Sequence, residues 1–369
     1  MDSHVRSGNR TILLTGIFLI SCGLSSSCDS GNDPGAPRTL GETAIAVGMY
    51  AGVAVPADLA DPRMEIVPIH FNSVTAENAM KWGELAREHG DYDFTAADAL
   101  VDWAETRGLR MRGHTLVWGQ STNQGYPADL PTKIVEAADP EAFTREAIRT
   151  HVSTVVERYA GRVESWDVVN EPLAPVGSGF ARCIFYEAIG PSYIAETFHA
   201  ARKADPCARL FLNEYFLSYD GPKARAFIEL VEDLLDEGVP IDGVGIQGHV
   251  YIAAPEPEGF RNFLAKIADL GLQIELTEVD ILKLAMLGRL ESGQDLFEAQ
   301  ADVYDDLAAA CVETPACRGI TVWGIEDGLT WFDDLFPFTL FAPNEPLLLD
   351  RSLEPKPAYH AVQAEMEQR

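Results

Sequence analysis

Two carboxylates supply the first clue. Glu171 closes the stretch "WDVVNEP", residues 166–172, and Glu278 lies in "LTEVDI", residues 276–281. Each ends a run rich in β-branched residues, where an apolar strand finishes in polar side chains. A lone Glu at such a point is ordinarily a cap or a surface charge. Two acids facing one bond can do more: together they form the apparatus that hydrolyses a glycosidic bond. One must keep its proton near neutral pH and give it to the leaving oxygen, while the other must be ionised and attack the anomeric carbon.

Such a pair works only if the fold brings it together. After residue 40 the chain alternates between two textures. Runs that read as strands occur at 44–50, 70–75, 109–117, 163–170, 209–214, 242–250, 272–279 and 318–324. Most intervals between them carry helical periodicity. In "RAFIELVEDLLDEG", Phe227, Leu230, Val231, Leu234 and Leu235 form one apolar stripe that Gly238 stops. Alternation of this kind predicts a parallel sheet, and eight units predict an α/β fold of the (β/α)8 TIM-barrel type. A doubly wound open sheet is the alternative.

The polar residues favour the barrel. Glu77 and Asn78 follow the second run, and His114 and Trp118 close the third. Asn170 and Glu171 close the fourth, and Asn213, Glu214 and Tyr215 the fifth. Gln247 and His249 close the sixth, Glu278 and Asp280 the seventh, and Trp323 the eighth. A barrel gathers all these C-terminal strand ends on one face, whereas an open sheet strings them out in a row. Trp82, Trp118, Trp323 and Trp331 offer flat apolar faces for sugar rings. Asn78, Lys81, His114, Asn170, Gln247 and His249 offer partners for hydroxyl groups. Taken singly, such residues are more often core or rim, and Glu77 with Lys81 also has the spacing of a plain helical i,i+4 pair.

The stretches "FNSVTAENAMKW", "RGHTLVWG", "WDVVNEP", "LFLNEY", "GIQGHV", "LTEVDI", "GITVWG" and "PLLLD…PKPAY" resemble, in order, those of the family 10 glycoside hydrolases, mostly endo-1,4-β-xylanases. The resemblance covers about residues 41–362. It implies a retaining enzyme with Glu171 as acid/base and Glu278 as nucleophile, His249 and Asp280 orienting Glu278, and xylan or xylo-oligosaccharide as substrate. Glu77, Asn78, Lys81, His114, Trp118, Gln247, Trp323 and Trp331 would line the glycone side, and Asn170 would bond the sugar's 2-hydroxyl there. Tyr215 would lie on the aglycone side. Glu214, taken by its place at a strand end alone, reads as structural. The sequence departs from the family pattern in two places, after Trp118 and after Trp331. Gly119, Gln120 and Ser121 stand where it has His, any residue and Gln, and Phe332 stands where it has Arg after Trp331. Ser121, or Gln120 if the loop shifts, would then govern tolerance of glucose. A glycanase of mixed xylose and glucose specificity is an alternative, and a non-catalytic glycan-binding lipoprotein is another.

"GVGIQG", residues 243–248, matches the dinucleotide fingerprint letter by letter, but it lies inside a strand and no helix follows. No cofactor is expected. The chain has 369 residues with 57 acidic and 28 basic side chains, a net charge of −29. That surface repels nucleic acid and suits a neutral substrate.

Residues 1–21 read as a lipoprotein signal peptide: Arg6 and Arg10 flank a short apolar run that ends in "LISC". Cys22 would carry a lipid that anchors a monomeric enzyme to a membrane of the bacterial envelope; an ordinary secreted form is the alternative. Residues 22–40 form a Ser-, Gly- and Pro-rich tether, and 41–369 the barrel. Export permits disulfides. Cys311 and Cys317 enclose a short loop that a bridge would close, leaving Cys183 with Cys207. The spacings fit no usual zinc pattern, and no metal is expected.

Overall fold

The computed structural model describes residues 38–120, 124–216, 218–335 and 343–369. Cys22 and the expected signal peptide lie outside the described residues. Among the described residues, no helix is long and apolar enough to cross a membrane.

Eight parallel strands close on themselves: β1 Tyr50–Val55, β2 Ser73–Ala76, β3 Arg110–Gly113, β4 Ser165–Asn170, β5 Arg209–Glu214, β6 Gly243–Ile246, β7 Gln273–Ile281 and β8 Cys317–Val322. Each pairs with the next, and β8 pairs with both β7 and β1, so the sheet is a closed barrel and not an open row. Helices return the chain outside it. Among them are α1 Leu40–Ala46, α2 Thr95–Thr106, α3 Pro140–Arg158, α4 Ser192–Ala204, α5 Pro222–Asp236, α6 Pro257–Asp269, α7 Leu296–Glu313 and α8 Pro357–Met366. On α5 the buried residues include Phe227, Leu230, Val231 and Leu234, the stripe read from the sequence.

Three strand expectations need correction. Residues 44–46 belong to α1, not to a strand. Thr39 caps Glu42 N–H and the Glu42 side chain returns to Thr39 N–H, so a capping box starts a helix there. Leu40, at the end of the expected tether, is buried, and its N–H donates to the Tyr359 hydroxyl. The long third and sixth runs are each interrupted. β3 stops at Gly113 and pairing resumes at Val117–Trp118; β6 stops at Ile246 and resumes at His249–Val250. The interruptions turn His114 and Gln247 out of the ladder at the mouth of the barrel.

The barrel interior is partly ionic. Arg112 is fully buried and bonds Asp167 at 2.5 Å and Glu275 at 2.6 Å. The dinucleotide-like glycines serve packing here. A Cβ on Gly243 would lie 2.4 Å from the Phe211 ring, and one on Gly245 would lie 2.2 Å from Asn213 Oδ1. Cys311 and Cys317 are disulfide-bonded. Cys183 is a buried free thiol, so the expected Cys183–Cys207 pairing is not made.

Candidate active site

Glu278 and Asp280 alternate along β7 and so project from the same face of the strand. Glu278 is only 4% exposed. Asn213 Nδ2 donates to its Oε1 at 2.6 Å, and His249 Nε2 stands 3.3 Å from its Oε2. His249 Nδ1 is 2.7 Å from Asp280 Oδ1, and Trp331 Nε1 donates to Asp280 Oδ2 at 2.7 Å. Burial opposes charge on Glu278, yet His114, His249 and the Asn213 bond outweigh it and hold the carboxyl at about 2. His249 behaves conversely. Burial disfavours its cation, but Asp280 and Glu278 push it up to about 10. Glu278 is therefore an anion and His249 a cation across neutral pH.

Glu171 follows β4 in a left-handed conformation, φ 54°, with its N–H bonded to Asn213 O at 2.9 Å. Its Oε2 accepts from Trp118 Nε1 at 3.0 Å and Gln120 Nε2 at 3.3 Å; its Oε1 accepts from Gln247 Nε2 at 3.0 Å and Asn170 Nδ2 at 3.3 Å. Four N–H donors thus converge on the two oxygens of Glu171.

Amides join the two acids. Thr277 Oγ1 donates to Asn213 Oδ1 at 2.8 Å, which turns Asn213 Nδ2 toward both Glu278 and Asn170 Oδ1. Asn170 Oδ1 also receives Gln247 Nε2, so the Asn170 amide nitrogen faces Glu171. The path from Glu171 through Asn170 and Asn213 to Glu278 is three hydrogen bonds long.

One cleft is lined by Glu171, Glu278 and His249 together with Glu77, Asn78, Lys81, His114, Trp118, Asn170, Tyr215, Gln247, Trp323 and Trp331. Asp280 stands behind it, against His249. His114 Nδ1 bonds Asp167 at 3.0 Å and its ring meets Trp323 edge-on. Lys81 is not half of a helical pair with Glu77, because the helix there starts at Trp82. Its Nζ donates to Asn78 Oδ1 at 2.9 Å and sits 5.2 Å from the Trp118 ring. Burial depresses the Lys81 ammonium, with Glu278, Glu77 and Glu171 opposing.

Trp82 is the aromatic that sequence reading misplaced. It is fully buried, stacked on His151 at 4.0 Å, and offers no face to the cleft. Reading by residue type also passed over Asn213 as a partner of Glu278, and Tyr251, Gln124 and Leu329 as lining residues. Asn213 had a signal, since it ends β5 as Asn170 ends β4, and the two are register partners. The Gln120 amide donates to Glu171 O at 2.8 Å. Ser121 lies outside the described residues. Phe332 stacks on Trp331 at 4.4 Å.

Residues 39–365 match the family model described as glycosyl hydrolase family 10. The chain belongs to that family. Among family 10 relatives, endo-1,4-beta-xylanase A of Thermoanaerobacterium saccharolyticum is 36% identical over 321 residues, which cover 84% of this chain and 26% of that protein. This chain thus spans about a quarter of the length of that relative. Endo-1,4-beta-xylanase B of Thermotoga neapolitana is 33% identical over 96% of this chain and 98% of its own length. Among solved family 10 structures, xylanase 10B from Thermotoga petrophila RKU-1 in complex with xylobiose superimposes with a TM-score of 0.79. It is 31% identical and is matched over 90% of this chain and 98% of its own.

Proposed function

We propose that the protein is an endo-1,4-β-xylanase that hydrolyses the β-1,4-xylosidic bonds of xylan with retention of anomeric configuration. The observation that carries this reading is the pairing, in one cleft, of an anionic Glu278 with Glu171 through the two asparagine amides. The xylanase names of the relatives support the choice of xylan.

In the first step a Glu278 oxygen attacks the anomeric carbon while the glycosidic C–O bond breaks. The Glu171 proton passes to the departing oxygen, so the first product leaves as an alcohol. In the second step the Glu171 carboxylate takes a proton from water. The water oxygen attacks the same carbon and Glu278 departs as a carboxylate. His249, charged and fixed by Asp280, stabilises that departing anion. Trp118 and Gln120 hold Glu171 between the two roles.

Rates on a panel of xylan, mixed-linkage β-glucan and aryl glycosides test the assignment. Xylan is expected to be the preferred polymer, and a purified protein inert on all three would sink it. We further propose, from the sequence of residues 1–22, that Cys22 carries a lipid anchor and that the enzyme acts at a membrane surface.

A further inference from the structure

Lys223 is a buried cation that the mechanism above leaves unused. It stands in the first turn of α5, its side chain is 8% exposed, and Nζ lies 2.9 Å from Glu214 Oε1. Glu214, at the end of β5, is completely buried. Such a pair adds little net stability, because desolvating both ions offsets their attraction. Its contacts point to a different role. Glu214 Oε2 accepts the N–H of Leu173 at 3.1 Å, two residues beyond Glu171, and Oε1 accepts the N–H of Tyr215 at 3.0 Å. The residue before it, Asn213, accepts the N–H of Glu171 itself. The last two residues of β5 therefore hold the acid/base segment on both sides of Pro172.

That segment needs holding. Glu171 is a non-glycine residue in the left-handed region, where its Cβ crowds the following carbonyl oxygen. Lys223 acts on a second group as well. Its Nζ lies 3.5 Å from the centre of the Tyr215 ring, which lines the cleft. A cation at that distance is attracted to the ring and fixes its plane.

We propose that Glu214 and Lys223 form a positioning pair that ties Tyr215 to the backbone of Glu171, so that a sugar seated against Tyr215 meets a correctly aimed acid. The proposal rests on the xylanase reading and concerns the aglycone half of that site. Burial drives the Glu214 carboxyl up to about 7, and Lys223 opposes this. Without the cation the protonated form of Glu214 is favoured further, and a protonated oxygen accepts hydrogen bonds poorly. One of the two backbone grips then weakens, at Leu173 or at Tyr215.

The test compares kcat/KM for xylotetraose, whose leaving group is a sugar that needs a proton, with that for dinitrophenyl β-xylobioside, whose leaving group needs neither. In Lys223→Met and in Glu214→Gln, the expected result is a loss of about tenfold or more on xylotetraose, mainly in kcat, against less than about threefold on the aryl substrate. Lys223→Arg, which keeps the cation, is expected to recover most of the lost ratio. Equal losses on both substrates, or none on xylotetraose, would overturn the proposal. Should Lys223→Met fail to fold, the ratio in Glu214→Gln decides. A wild type inert on xylan and xylotetraose overturns the xylanase reading itself; an active wild type with an unchanged ratio in the variants overturns this inference alone.

Discussion

His249 stands between Asp280 and Glu278, with Nδ1 2.7 Å from the first and Nε2 3.3 Å from the second. Its charge helps keep the Glu278 carboxyl at about 2 despite burial. Glu278 must be ionised to attack, so it sets the acidic limb of activity. His249→Asn removes the cation, leaves burial unopposed at that oxygen, and moves the acidic limb of kcat/KM to higher pH. A pH profile on an aryl xylobioside reads this directly, and an unmoved limb would contradict the role given to His249.

The two acids respond differently to the leaving group. Glu171→Ala removes the proton donor and base, so it slows substrates with poor leaving groups most. On an activated aryl glycoside this variant is expected to form the glycosyl-enzyme and stall, and added azide is expected to speed its breakdown. Glu278→Ala is expected to lose turnover on every substrate. Equal losses in both variants across good and poor leaving groups would overturn the assignment.

Asn213→Ala removes a donor 2.6 Å from Glu278 Oε1 and, with it, the link to Asn170. A hydrogen bond to a charged group contributes about 1.5 to 3 kcal/mol, so kcat/KM is expected to fall about tenfold to a hundredfold. Steady-state kinetics with a melting curve separates this from simple unfolding. A variant that melts like the wild type and retains full activity would remove Asn213 from the site.

Much of this site was legible before the fold. Glu171, Glu278 and their neighbours announced themselves because polar residues ended apolar runs, and only a closed barrel gathers such ends. Residue type alone could not say which way a side chain faces. Trp82 sits one position beyond Lys81, which lines the cleft, yet it turns into the core against His151. The role of Asn213 depends on Thr277 and on the space left by Gly245, neighbours supplied by adjacent strands. "TLGE", residues 39–42, has the spacing of a capping box, but the β-branched look of the following residues masked it.

The proposed lipid on Cys22 is open to a fractionation test. If Cys22 bears the lipid, the wild type sediments with membranes, and Cys22→Ala does not, while keeping its specific activity. One acyl chain binds only marginally, so stable attachment implies more than one. Release of the wild type as a soluble protein would rule out the anchor.

In the proposed mechanism Glu278 attacks the sugar directly and Glu171 serves both steps. Two inversions at one carbon restore its configuration. Proton NMR of xylo-oligosaccharide hydrolysis, recorded before mutarotation, follows the anomeric signal of the first product. The β-anomer is the predicted initial product, and an initial α-anomer would contradict Glu278 as nucleophile.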